Sequence, residues 1–243
     1  MSDAALDGGG RQAVEAAFGL IKDRTTTQSV VAALRSAILE GRVPQGSPLR
    51  EGRIATAMGI SRAPLREALS VLAEEGLVDK IPYRGTFVAS VSPQSIAEIA
   101  NIRRRLEPYA VELAIPQLTG TARRRVTRAL TEMHVAADAA DLPMSIEAHM
   151  AFHRTFYDLS RNQIMMDLWR GWENQLQLFL STDHRQLKDL HTLAADHEHL
   201  LDVIDTHDLE KITDAIGTHV HGPADLGLEE DPPPDAPDVS AAL

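Results

Sequence analysis

The sequence predicts a mainly α protein: an N-terminal winged helix-turn-helix plus a C-terminal all-α six-helix bundle. Three observations predict it. Glu51 to Glu75 reads as helix, tight turn, helix. Two short β patterns joined by Pro82-Tyr83-Arg84-Gly85 follow directly. From Pro93 to about His221, apolar residues recur at helical spacing.

Residues 1–26, opening with Gly8-Gly9-Gly10, read as a flexible arm, with a short helix in reach over 11–22 through Val14, Ala17, Phe18 and Ile21. Residues 27–91 form the winged helix-turn-helix domain. Its first helix, 27–41, carries the stripe Val30, Val31, Leu34, Ile38 and Leu39, and Gly41 ends it. Val43 to Leu49 is a turn-rich connector. Ile54, Ala55 and Met58 make the apolar face of the second helix. Gly59 supplies the turn, Ser61 is a natural N-cap, and Pro64 sits in the next helix's first turn, where a missing N–H is harmless. Leu65, Ala68, Leu69 and Leu72 then point inward, leaving Ser61, Arg62, Ala63 and Arg66 outside, where a recognition helix meets the major groove. Leu77 to Ile81 and Thr86 to Val91 make a hairpin whose tip bears Arg84 and Gly85: a wing.

Ser92-Pro93 breaks the chain. Six helices are expected within 93–222, near 93–115, 120–140, 143–160, 163–181, 185–206 and 208–221. Trp169, Trp172 and Leu176 read as core or dimer packing. The acidic, proline-rich 223–243 cannot pack a core and reads as a disordered tail.

The 243 residues suffice for two compact domains. With no cysteine there is no disulfide and no thiolate metal site. No 18-residue apolar run and no apolar signal core occur, so the expectation is a soluble cytoplasmic protein with no membrane role. The net charge of −11 argues against a general nucleic-acid glue. Residues 27–92, however, carry eight positive and six negative side chains, so the acid excess lies elsewhere.

Histidine carries the chemistry of the helical region. His149 and His153 are i,i+4 neighbours in a stripe with Phe152 and Phe156; His197 falls among Leu193, Leu200, Leu201 and Ile204; His219 falls with Ile212, Ala215 and Ile216. His199 lies on the far side of its helix from His197. Four imidazoles from three helices thus aim at one interior, a spacing suited to a divalent metal. Arg103 lies on the otherwise apolar stripe Ile99, Ile102, Leu106, Ala110 and Leu113, whereas Arg104 and Arg105 fall off it and read as solvated. A buried guanidinium needs a partner: Glu107 one turn on, or the carboxylate of a bound ligand.

Leu34 to Gly41, Ser61-Arg62-Ala63-Pro64-Leu65-Arg66-Glu67-Ala68-Leu69, Glu75-Gly76-Leu77-Val78 and Arg84-Gly85-Thr86-Phe87-Val88 together resemble the winged-helix domain of the GntR superfamily of bacterial transcription regulators. The resemblance implies DNA contacts at Ser61, Arg62, Arg66 and Gly85. A DNA-contacting arginine of that family falls at Gly52 here, with Arg53 and Arg50 beside it as substitutes. The helical region resembles the FCD effector domain of the FadR subfamily, its six helices the VanR-like branch. That implies a metal at His153, His197 and His219, with His149 standing where the subfamily has aspartate, and an effector-binding arginine at Arg103. Four neutral imidazoles favour Zn²⁺ or Ni²⁺ over harder ions and leave the metal receptive to an anion; alternatively His149 swings away and leaves open positions. The expectation is a ligand-responsive repressor, not an enzyme: a homodimer on double-stranded operator DNA that senses a small carboxylate between Arg103 and the metal. The alternatives are a regulator with a purely structural metal, or a histidine-site metallohydrolase, for which no inward Glu or Asp base is evident.

Overall fold

In the computed structural model, which describes residues 27–183 and 189–220, nine α-helices and one hairpin are found among the described residues. Helix α1 (Thr27–Leu39) lays Val30, Leu34 and Ile38 against Leu65, Leu69 and Leu72 of α3 (Arg62–Glu74), with Ile54, Ala55 and Met58 of α2 (Glu51–Met58) completing the core. Gly59 takes a left-handed φ of 69°, and its N–H bonds back to the carbonyls of Ala55 and Thr56. Ser61 stands at the N-cap of α3 in extended conformation, but its side chain accepts no capping hydrogen bond. Pro64, three residues on, removes one of the two N–H groups that such a bond could use.

Strands β1 (Val78–Ile81) and β2 (Gly85–Val88) pair antiparallel, Val78 opposite Val88 and Ile81 opposite Gly85. β2 stops short of the expected Val91 because Val91 N–H turns to the Gln45 side chain at 2.8 Å. The connector 46–49 runs along the other edge of β2, with Leu49 N–H bonding Thr86 O at 2.8 Å and Gly46 N–H bonding Val88 O at 3.0 Å.

The bundle comprises α4 (Pro93–Ala114), α5 (Gly120–Asp138), α6 (Leu142–Leu159), α7 (Gln163–Asp183), α8 (Leu190–Asp205) and α9 (Leu209–His219).

 Helix α6, from Leu142 to Leu159, is the central member, packed against α4, α5 and α7, while α9 closes on α4 and α8. Asp141, Asp189 and Asp208 cap the starts of α6, α8 and α9 through their carboxylates. Arg104, expected in solvent, is half-buried and donates to the Val220 carbonyl at 2.9 Å, covering the end of α9. The short helix expected within 11–22, the start expected at 185 for the fifth bundle helix, and the tail 223–243 all fall on residues outside those described.

Helix α7 joins the two cores. Leu178 is buried among the side chains of the winged helix, Gln45 Nε2 donates to Leu178 O at 3.2 Å, and Asn174 Nδ2 donates to Glu75 O at 3.1 Å. Among the described residues, no helix is long and apolar enough to cross a membrane.

Candidate metal centre and DNA-facing surface

Helix α6 has to bury a stripe holding both phenylalanine and histidine, and the two separate by function. Phe152 and Phe156 enter the apolar core, while His149 and His153 face His197 of α8 and His219 of α9. The ring of His149 lies 4.9 Å from that of His153 and 4.7 Å from that of His197. The Nε2 atoms of His153, His197 and His219 form a triangle with sides of 3.1, 3.2 and 3.4 Å. With His149 included, the four ligand nitrogens lie within 4.8 Å of one another.

The other ring nitrogens fix the tautomers. His197 Nδ1 lies 2.7 Å from Leu193 O, and a carbonyl can only accept, so the proton is on Nδ1. His153 Nδ1 bonds the Glu107 carboxylate, whose second oxygen takes Arg103 Nε at 3.0 Å, so this proton is on Nδ1 as well. Both Nε2 atoms are therefore bare, and their lone pairs face each other across 3.1 Å. That arrangement repels unless something electropositive lies between. A tetrahedral Zn–N distance of about 2.0–2.1 Å separates neighbouring nitrogens by about 3.3–3.4 Å, close to the triangle found.

Electrostatics keep these rings neutral. Burial is the first cause in all four, and it pushes His149, His153 and His219 well below the usual histidine range and His197 down to about 4. Neighbouring imidazoles and Arg103 add to the effect at His149 and His153. At neutral pH the lone pairs are free for a cation, so the residues fit a divalent metal.

Arg103 takes Glu107 as its partner, the internal carboxylate of the two alternatives. Only Nε is engaged in that bond, and the guanidinium carbon stands 5.9 Å from the centre of the Trp169 ring. Tyr157 stacks at 4.8 Å on Trp169 and meets Trp172 at 6.4 Å. Tyr157 Oη, Trp169 Nε1 and Trp172 Nε1 are buried and reach no hydrogen-bond partner among the described residues. Burial and the Glu107 charge push the Tyr157 hydroxyl far above its usual range, so it stays protonated, a donor. Glu107 is the residue whose second role the sequence hid. It is an inward carboxylate, but it sits on the Nδ1 side of His153, away from the face where the Nε2 atoms meet. His199 is exposed, as its helix position implies.

The winged helix presents Arg53, Ser61, Arg62, Ala63, Arg66, Arg84 and Gly85, all exposed. Arg66 Nε bonds Glu51 Oε2 at 2.6 Å. A Cβ at Gly52 would stand 3.4 Å from an Arg62 terminal nitrogen, so a long side chain at 52 would compete for the space that Arg62 uses. Tyr83 is a residue the sequence reading passed over: it is fully exposed at the wing tip with a left-handed φ of 62°. Lys80 Nζ bonds Ser70 Oγ at 2.6 Å and ties the wing to α3.

Residues 26–88 match the domain described as "Bacterial regulatory proteins, gntR family", and residues 98–222 match the FCD domain. The chain is 28% identical over 201 residues to a probable D-xylose utilization operon transcriptional repressor of Paenarthrobacter nicotinovorans, covering 81% of this chain and 88% of that one. It is 25% identical over 180 residues to the gluconate operon transcriptional repressor of Bacillus subtilis, covering 72% and 74% of the two. A solved GntR transcriptional regulator from Rhodococcus sp. RHA1 superposes with a TM-score of 0.68 at 25% identity, covering 80% of this chain and 93% of that one.

Proposed function

Since this chain belongs to the gntR family of bacterial regulatory proteins and carries an FCD domain, a DNA-binding transcription regulator and not an enzyme, we propose that it is a repressor whose operator affinity is set by a small carboxylate bound beside a metal held by His149, His153, His197 and His219. The observation that carries the metal is the pair of bare Nε2 atoms at 3.1 Å, each fixed by a hydrogen bond on its other side. The donors are four neutral imidazoles, a set that suits Zn²⁺, with Ni²⁺ next. When bound, the metal supplies a Lewis-acidic position for one carboxylate oxygen.

The chain's own groups do the rest. Arg103, held through Nε by Glu107 and set beside the Tyr157 hydroxyl, offers its terminal nitrogens to the second carboxylate oxygen. Tyr157 Oη and the indole N–H groups of Trp169 and Trp172 are donors in search of acceptors, which favours an acid that also bears hydroxyl oxygens. The relatives named for a sugar operon and a sugar-acid operon agree with that chemistry. Trp169 and Trp172 share α7 with Asn174 and Leu178, which touch the winged helix, so a ligand that repacks the tryptophans acts on the DNA-binding half through one helix. In a homodimer such a shift changes the separation of two recognition helices on a palindromic operator. Arg62 and Arg66 are the residues for guanine or phosphate contacts, with Ser61, Ala63, Arg53, Arg84 and Gly85 around them.

The test is the thermal midpoint of the purified protein against a panel of carboxylic acids, hydroxylated and not, with Zn²⁺ and again after EDTA. A hydroxy acid that raises the midpoint only when metal is present is the expected result. If metal stabilises and no acid does, the centre is structural. If neither stabilises, the metal reading falls.

A further inference from the structure

The metal centre has an inside and an outside. His153 and His197 are all but fully buried, and each is pinned through Nδ1, to Glu107 and to the Leu193 carbonyl. His219 differs on every count. It is the last residue of α9, it is only half-buried, and among the described residues its side chain meets the imidazoles of His153 and His197 and no carbonyl or carboxylate pins it. It also lines a surface cavity of about 190 Å³ between α8 and α9, together with Asp196, His199 and Thr218. Asp196 and His199 flank His197 on α8, are exposed, and make no ion pair among the described residues. Thr218 Oγ1 donates to the Asp214 and Ala215 carbonyls, and the Asp196 carboxylate and the His199 imidazole are the stronger metal ligands of the lining.

We propose that this cavity is the loading port of the metal centre, where a hydrated divalent transition-metal ion is first held by Asp196, His199 and His219 and then delivered inward as His219 turns. The proposal rests on the metal-centre reading above. A buried site needs a route, and a bare ion cannot cross an apolar wall. The cavity is open to solvent, so an ion can enter it with its waters. Its donors suit it too, one carboxylate oxygen and two imidazole nitrogens that exchange for water one at a time. The final turn of a helix is the part that opens most readily, which makes His219 the mobile ligand and His153 and His197 the fixed ones.

The experiment uses the metal-free full chain and Co²⁺, whose visible absorption reports coordination, mixed in stopped flow. The double variant Asp196→Asn, His199→Ala alters two exposed side chains and leaves all four interior histidines in place. Loading is expected to slow roughly tenfold, the low end of what charge in a cleft adds to an association rate. Release to EDTA slows by the same factor, and the equilibrium Kd and final spectrum stay those of the wild type. Unchanged rates overturn the port. A weakened Kd or an altered spectrum also overturns it, because Asp196 or His199 would then belong to the resting centre. A wild type that takes up no Co²⁺ and no Zn²⁺ removes the metal centre itself, and the port with it.

Discussion

Arg66 and Arg103 each pair with a glutamate, and their surroundings give the two pairs opposite meanings. The Arg66–Glu51 pair, at 2.6 Å, has side chains 64% and 31% exposed; the Arg103–Glu107 pair, at 3.0 Å, has them 6% and 2% exposed. Water screens the first, which contributes about 0–1 kcal/mol and can be exchanged for a phosphate or a guanine. Nothing screens the second. There the carboxylate also fixes His153, so one charge orients a guanidinium and an imidazole at once. In the winged helix an apolar core sets the geometry and the ion pairs are left free to change partners. In the bundle the ion pair is part of the geometry.

The largest effect expected from breaking this contrast is at Glu107. Glu107→Ala leaves the buried charge of Arg103 without its partner, and loss of one member of such a pair costs about 3–5 kcal/mol. Urea unfolding of the metal-free protein measures it. Glu107→Gln keeps the shape and one acceptor but removes the countercharge, so it is expected to lose part of the same stability, and Zn²⁺ affinity falls about 10–100-fold, as for other outer partners of metal-binding histidines. Equal Zn²⁺ affinity in Glu107→Gln and wild type would mean that Glu107 serves Arg103 alone.

Next in size is Arg66→Ala. It is expected to abolish specific operator binding, a loss of about 1–3 kcal/mol for each bidentate base contact removed, while unfolding stability moves by no more than about 0.5 kcal/mol. Retained nanomolar operator binding in a mobility-shift assay would remove Arg66 from the interface. At Arg103 the same truncation would disturb the fold, and that is the contrast between the two regions in its sharpest form.

How much of this was legible depends on the distance over which each feature is decided. The stripes Leu65-Leu69-Leu72 and Phe152-Phe156, the turn at Gly59 and the inward set of four histidines are periodicities within single helices, and the sequence carries them. Arg104 was misread because its burial depends on Val220, 116 residues away. The second role of Glu107 was hidden for the same reason, since His153 lies 46 residues on, on another helix. Ser61 was read correctly as the N-cap residue, but its side chain makes no capping bond, and Pro64 removes one of the two N–H groups such a bond could use. Tyr83 carries no periodic signal at all, and only the hairpin's geometry places it at the tip.

The smallest effect expected is at Glu51, and it is the most informative about the exposed pair. Glu51 opens α2, where the helix dipole favours a carboxylate, and it reaches across to the recognition helix to hold Arg66 through Nε. Held that way, Arg66 meets DNA with its orientation already chosen. Glu51→Gln weakens the hold and also removes a negative charge that repels phosphates. The two consequences pull in different directions on different DNA: random sequence binds slightly tighter, while the operator gains less because Arg66 must be ordered on arrival. The ratio of operator to random-sequence affinity is therefore expected to fall by up to about fivefold, the equivalent of about 1 kcal/mol, with thermal stability nearly unchanged. Mobility shifts on both DNAs across a salt series measure it. A ratio that stays constant while both affinities rise together would make Glu51 a source of repulsion only, and the surface pair would then carry no specificity at all.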